Sequence, residues 1–112
     1  MAIPVILDVD TGVDDALALL FAAAHPELDL IGVSCVAGNA SLERVVDNTL
    51  RVLALAGATD VPVAAGASRP LIEPARDAGH VHGADGLAGV VLPPADRRAE
   101  PEHAVEVLRR TI

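Results

Sequence analysis

Three short apolar runs alternate along the chain with segments that have the composition of helices. The runs IPVILDV at 3–9, LDLIGVSCV at 28–36 and VPVAA at 61–65 are typical of strands in a parallel sheet, and the first has the pattern of a strand buried on both faces. Between them, the segments 14–25 and 41–57 are rich in residues that favour helices. Because strand and helix alternate, the sequence predicts an α/β fold in which helices cover both faces of a parallel sheet.

The predicted helices have recognisable signals at their ends. His25 is followed by Pro26, which pushes the preceding residue out of helical geometry and so ends the first helix. Ser41 is a suitable N-cap for the second helix, Gly57 is a suitable stop, and Pro101 fits the first turn of a last helix, PEHAVEVLRR. The apolar residues of the second helix follow helical spacing: Leu42, Val45, Val46, Leu50 and Leu53.

Residues 66–100 interrupt this alternation. They are rich in glycine, proline and charge, and a segment this long without clear structure is either functional or mobile. The chain then ends at Ile112, in or just after a helix, with only three strands predicted. Three strands make a thin sheet with an open edge, so we expect residues 1–112 to be the N-terminal portion of one larger domain.

Composition and net charge argue against some classes of binding partner. The 112 residues carry a formal net charge of −8, which argues against nucleic acid or an anionic membrane as partner, since both select clustered Lys and Arg. The N-terminus lacks the basic segment of a signal peptide, and no apolar run approaches the roughly 18 residues that span a bilayer. We therefore expect a soluble cytoplasmic protein. The single cysteine, Cys35, lies in an apolar run and is interpreted as a buried small side chain.

Four aspartates crowd the end of the first apolar run, in the segment VILDVDTGVDD. Asp8 and Asp10 end the predicted strand, and Asp14 and Asp15 open the helix that follows. Like charges this close repel each other, more strongly where water is partly excluded. A hard divalent cation such as Ca²⁺ or Mg²⁺, which prefers oxygen ligands, would remove the repulsion. Asn39, directly after the second strand, would lie at the same rim of a parallel sheet, where ligands bind.

Each of these residues also has a purely structural interpretation. Asp14 or Asp15 alone would serve as a helix cap. Asp10 alone would form a turn, and Asn39 tolerates left-handed geometry in one. The four aspartates together are harder to explain in this way, since capping uses one or two carboxylates and leaves the others to repel. The pattern therefore favours a metal site at the end of the first strand.

Four segments resemble those of a known family in order and spacing: ILDVDTGVDDALAL, VAGN, PVAAGASRPL and HVHGADGL. The chain is similar to the inosine–uridine nucleoside hydrolases from about residue 3 to its end, and the D-x-D-x-x-x-D-D pattern is highly specific. The resemblance implies a Rossmann-like nucleoside hydrolase fold and a tightly held Ca²⁺. It also implies hydrolysis of the N-glycosidic bond of ribonucleosides to ribose and free base, in nucleoside salvage, by a protein that forms a homo-oligomer at full length.

The same resemblance implies roles for individual residues. Asp10 would be a calcium ligand and the general base that takes a proton from the attacking water, and Asp15 would be a second calcium ligand. Asp14 would hold ribose hydroxyls, and Asn39 would contact the ribose near the metal. These carboxylates would also stabilise the positive charge that develops on the ribose.

The remaining motif residues are less central. Asp8 belongs to the motif, and we expect it only to support the calcium ligands. His82, in the HGADG loop, would lie on the nucleobase side of the pocket. Family members are much longer, and their C-terminal part supplies a further aspartate and a backbone carbonyl to the calcium and a histidine near the leaving base. Many of them have proline where this chain has Thr11.

Two alternatives stay open at this point. A haloacid dehalogenase-like phosphotransferase also has D-x-D at the end of its first strand, with Asp8 as nucleophile and Asp10 as acid or base, but the Asp14-Asp15 pair would be unexplained. A non-catalytic remnant that binds metal or ribose, or only mediates assembly, would bind calcium without turnover. Ribose release from inosine would exclude both, whereas phosphate release from p-nitrophenyl phosphate would support the first.

Overall fold

The computed structural model describes residues 2–69 and 87–112. In chain order its elements are β1 (Ile3–Val9), α1 (Val13–Ala24), β2 (Leu28–Cys35), α2 (Leu42–Leu55), β3 (Val63–Ala65) and α3 (Ala104–Thr111). Each of them corresponds to a strand or helix that the sequence predicts. His82 and the HGADG loop lie outside the described residues. None of the helices in the described part of the chain is long and apolar enough to cross a membrane.

The three strands form one parallel sheet in the order β1-β2-β3. Val9 at the end of β1 pairs with Cys35 at the end of β2, and Cys35 pairs with Ala65 at the end of β3. Two further backbone bonds continue the alignment, from Val36 N to the Val9 carbonyl and from Gly66 N to the Cys35 carbonyl. The carboxyl ends of the strands are therefore level, and the chain leaves all three at one rim of the sheet.

Helices cover both faces of the sheet, as the sequence predicts. α1 and α2 pack against each other, and Val63 of β3 belongs to the main apolar cluster that they share. The neighbouring residue, Ala64, packs instead with Ala104 and Val107 of α3. Because successive side chains of a strand point to opposite faces, this split places α3 on the other side of the sheet from α1 and α2.

The core consists of aliphatic side chains of modest size. The one phenylalanine, Phe21, is 62% exposed on α1 and does not contribute to it. The stability of the core therefore comes from many small dispersion contacts. The largest apolar side chains that are fully buried are Leu19, Leu53, Val45, Val52 and Val63.

The burial of β1 differs from the prediction. Only Val9 of this strand is buried, whereas Ile3, Pro4 and Asp8 are exposed. In the described sheet β1 is an edge strand that pairs with β2 alone. The expectation of a strand buried on both faces is therefore wrong for β1, and it is the middle strand, β2, that is largely buried.

At the starts of α2 and α3, a side chain accepts a hydrogen bond from a backbone N–H of the first turn. α3 begins later than predicted, and Pro101 lies before the helix instead of in its first turn. His103 is the N-cap, and its Nδ1 accepts a hydrogen bond from Val105 N at 3.1 Å. At α2 the prediction is confirmed. Ser41 caps its first turn, and Gly57, just beyond its end, has a φ of +76° that favours glycine.

Two leucines of α1 provide a test of this packing. Leu19 is 0% exposed, so Leu19→Ala should lower the free energy of unfolding by about 2–5 kcal/mol through lost contacts and the cavity left behind. Leu17 is 63% exposed, and Leu17→Ala should change it by less than about 1 kcal/mol. Urea unfolding followed by circular dichroism would measure both. Equal losses would show that α1 does not bury the face described here.

Candidate active site

Residues 10–12 form the loop that joins β1 to α1 at the rim where the strands end. β1 ends at Val9, so the Asp10 side chain is not held to the in-and-out alternation of the strand. Gly12 is the N-cap of α1 in an extended conformation, and its carbonyl accepts a hydrogen bond from Ala16 N at 3.0 Å. The helix therefore starts immediately after the loop and carries Asp14 and Asp15 in its first turn.

Asp10 is held by the turn that follows β2. Asn39 N donates to Asp10 Oδ2 at 3.1 Å, and Asn39 Nδ2 donates to the Asp10 backbone carbonyl at 3.2 Å. Gly38 approaches the same carboxylate so closely that a Cβ at this position would lie 2.3 Å from Asp10 Oδ2. The predicted proximity of Asp10 and Asn39 at one rim is therefore present, and Gly38 is a site residue that the sequence did not single out. Its place beside Asn39 in the VAGN turn was the available signal.

The Asp15 carboxylate reaches back to the loop. Its Oδ2 accepts a hydrogen bond from Asp10 N at 3.0 Å. Burial raises the pKa of Asp15 to about 6, with further upward contributions from the Asp10 side chain and from the charge of Asp14. The bond from Asp10 N acts in the opposite direction. Asp15 is thus a carboxylate whose ionised form would gain from a nearby positive charge.

Asp14 and Asp8 lie on the margin of this arrangement. Asp14 is exposed in the first turn of α1, close enough to Asp15 for their charges to interact. Asp8 remains on the strand, and its Oδ1 accepts a hydrogen bond from the buried Ser34 hydroxyl of β2 at 2.5 Å. The structure therefore places Asp14 beside Asp15 at the start of α1 and ties Asp8 to the neighbouring strand.

The side chains of the site can be compared with the ligands that the predicted cation prefers. Asp10 and Asp15 are adjacent carboxylates, and the raised pKa of Asp15 reflects burial and crowding that a hard cation would relieve. Across residues 2–69 and 87–112, however, no three His, Cys, Asp or Glu side chains are grouped so that they could hold a metal ion. The pair fits two ligand positions of a calcium site, which further oxygen atoms would have to complete.

Cys35 is buried, as predicted, at the end of β2. Burial raises the pKa of its thiol to about 11, so it stays protonated. The Cys35 thiol donates to Thr49 Oγ1 at 3.5 Å, and Thr49 Oγ1 lies 2.7 Å from Thr11 Oγ1 of the loop. Thr11 and Thr49 are buried site neighbours that the sequence did not identify. Thr49 fills the i+7 position of the predicted apolar stripe of α2, where an apolar residue would be expected.

The sequence from residue 5 to residue 112 matches the inosine-uridine preferring nucleoside hydrolase family. The chain belongs to this family. The assignment replaces the haloacid dehalogenase-like alternative. The fold agrees with it: a purine-preferring ribonucleoside hydrolase from Gardnerella vaginalis superposes with a TM-score of 0.90 at 35% identity, over 97% of this chain and 36% of that one.

Two sequence relatives in the nucleoside hydrolase family are at least 42% identical to this chain. A pyrimidine-specific ribonucleoside hydrolase of Photobacterium profundum is 46% identical over 100% of this chain and 36% of its own length. An inosine-uridine preferring nucleoside hydrolase of Leishmania major is 42% identical over 93% of this chain and 33% of its own length. The chain thus spans about a third of the length of the curated relatives it matches.

Two glycines provide a test of how closely Asp10 is packed. Gly38→Ala should force the Asp10 carboxylate away, lowering the free energy of unfolding by about 1–3 kcal/mol and shifting the NMR signal of the Asp10 side-chain carboxyl carbon. Gly32→Ala is the matched control, because a Cβ there has nothing within 4 Å. An unchanged Asp10 carboxyl signal in Gly38→Ala would show that the carboxylate can accept an added methyl group without moving.

Proposed function

We propose that this chain carries the ribose-side catalytic residues of a calcium-dependent N-ribohydrolase, which cleaves a ribonucleoside into ribose and free base. The observation that carries the proposal is the placement of Asp10 at the rim of the sheet, held through its carboxylate and its carbonyl by Asn39 and beside Asp15. Membership in the nucleoside hydrolase family supports the reaction class.

Asp10 is the general base in this proposal. Because Asn39 N donates to Oδ2, the proposal assigns Oδ1 as the atom that receives the proton from water. The water oxygen bonds to the ribose carbon as the carbon–nitrogen bond breaks, and the bonding electrons leave with the base. The base takes a proton from solvent, and Asp10 returns its proton to solvent, so the step balances. A fixed carboxylate favours this step, since the acceptor atom need not be ordered during the reaction.

Asp10 and Asp15 would hold the calcium ion, and Asp14 would accept hydrogen bonds from ribose hydroxyls. When bound, Ca²⁺ would lower the pKa of a coordinated water and orient neighbouring hydroxyls. Asp14 is exposed in the first turn of α1, so its carboxylate is accessible to a sugar. The negative charge of these residues would also stabilise a ribose that becomes positively charged as the bond breaks.

Relatives that match this chain differ in the base preference that their names state. Relatives named as pyrimidine-specific, inosine-uridine preferring and purine-preferring match this chain at 46%, 42% and 35% identity. Proteins with different stated preferences thus share this third of the fold, which supports a role for it in ribose binding and hydrolysis. The placement of His82 beside the base remains a prediction.

Asp10→Asn provides the direct test. It keeps the shape of the side chain and removes the base, so ribose release from inosine and uridine should fall by about 10²–10⁴-fold. Asp29→Asn is the control, because Asp29 is an exposed aspartate at the opposite end of β2. Reducing-sugar release would be measured with the 112-residue chain and added Ca²⁺.

The same assay separates hydrolysis from binding alone. Removal of calcium with a chelator should abolish turnover, and its return should restore it, because the Asp10–Asp15 pair needs the cation to hold water and ribose. Calorimetric calcium binding without any ribose release would contradict hydrolysis by this chain. That result would instead favour the alternative of a metal- or ribose-binding remnant.

A further inference from the structure

A buried hydroxyl on α2 joins three parts of the fold next to the candidate active site. Thr49 Oγ1 lies 2.7 Å from the Val45 carbonyl oxygen, 2.7 Å from Thr11 Oγ1 and 3.5 Å from Cys35 Sγ. Thr49, Thr11 and Cys35 are each 0% exposed. The Thr49 hydroxyl therefore connects α2, the loop of residues 10–12 and the end of β2, away from solvent.

The chemistry of these groups fixes the direction of each bond. A hydroxyl has one hydrogen to donate and two lone pairs that accept. The hydrogen of Thr49 goes to the Val45 carbonyl, because a carbonyl oxygen can only accept. Thr11 must then be the donor in its bond with Thr49, and the Cys35 thiol gives the remaining bond. The bonding capacity of the Thr49 hydroxyl is thus fully used.

Packing alone gives no reason for a hydroxyl at this position. Valine has almost the same shape as threonine, and the buried neighbours on α2 include Val45, Val52 and Leu53. A buried hydroxyl also lowers stability unless its bonds are made, and its bond to the preceding turn slightly weakens the helix. Asn48, beside it, is buried as well, and its Nδ2 donates to the Thr11 carbonyl at 3.4 Å. Two consecutive polar side chains of α2 thus hold one loop residue.

We propose that Thr49 is a positioning residue for Asp10, acting through the hydrogen bond that its hydroxyl accepts from Thr11. This rests on the proposed function, in which Asp10 is the general base. Thr11 follows Asp10 directly, so fixing Thr11 limits the movement of the Asp10 backbone, while Asn39 fixes the carboxylate itself. A displacement of about 1 Å in a reacting group can lower a rate by about 10²-fold.

Three variants separate positioning from stability. Thr49→Val removes the hydroxyl and leaves that of Thr11 buried without its acceptor. Thr49→Ser retains the hydroxyl and is the conservative variant. The double variant Thr11→Val with Thr49→Val replaces both partners by apolar groups of the same shape, a change that is close to neutral for stability. Val63→Ala is the control for a loss of core packing. Val63 is buried in β3 and takes no part in the hydrogen bonds of Thr49 and Thr11.

The main measurement is hydrogen exchange at the amides of Asp10 and Asn39, each of which donates to a carboxylate of the site. Relative to the amides of β2, both should exchange about tenfold faster in Thr49→Val and within about twofold of wild type in Thr49→Ser. Val63→Ala should leave this ratio unchanged. The double variant should recover the stability of the wild type and still exchange fast at these two amides.

Two results would overturn the proposal. One is unchanged exchange of the Asp10 and Asn39 amides in Thr49→Val. The other is a double variant in which exchange returns to the wild-type rate together with stability, since the hydroxyl pair would then be only structural. The exchange measurement needs neither calcium nor substrate. A wild-type chain that releases no ribose would therefore contradict the proposed function while leaving the role of Thr49 testable on its own terms.

Where the wild-type chain does release ribose, a second measurement applies. The double variant should show a kcat lower by about 10–10²-fold with little change in KM, because Asp10 would be misplaced while Asp14 would still bind the ribose. A kcat equal to that of the wild type would count against positioning.

Discussion

The parallel pairing of β1 with β2 is the constraint on which the site depends. It aligns Val9 with Cys35, so the residues that leave the two strands meet at one rim of the sheet. Asp10 and Asn39 come into contact there although they are 29 positions apart in the chain. Parallel pairing requires a crossover connection, which α1 provides. The geometry of the site is therefore a consequence of sheet topology first and of side-chain chemistry second.

This topology concentrates negative charge, and the local structure offsets only part of it. Backbone N–H groups of Asn39 and Asp10 donate to carboxylates of the site, and the first turn of α1 favours the negative charge of Asp14 and Asp15. The pKa of Asp15 nevertheless rises to about 6, because burial and the neighbouring aspartates outweigh the hydrogen bond from Asp10 N. Among residues 2–69 and 87–112, the donors to Asp15 thus leave its carboxylate incompletely stabilised in the ionised form. A cation bound beside Asp15 would stabilise the ionised carboxylate further.

The sequence predicted the order of strands and helices and the rim at which Asp10 and Asn39 meet, because both follow from local periodicity and from the topology of parallel sheets. It did not predict the exposure of β1, which depends on which strands are neighbours in space. The start of α3 was also missed, since the imidazole of His103 acts as a cap only through its orientation. The polar position of Thr49 in an apolar stripe was visible, but its partner Thr11 lies 38 positions away and could not be found from spacing.

The hydrogen bonds of the site divide its carboxylates into constrained and adaptable ones. Asp10 is fixed by Asn39 through its own polar atoms, by the close approach of Gly38, and through its neighbour Thr11 by the buried hydroxyl of Thr49. Asp14 lies in an exposed turn, where a side chain has more freedom to adjust. A general base needs a fixed acceptor atom, whereas a residue that binds sugar hydroxyls benefits from the ability to follow its ligand. The unequal restraint of these aspartates therefore supports different roles for two carboxylates that the sequence places only four positions apart.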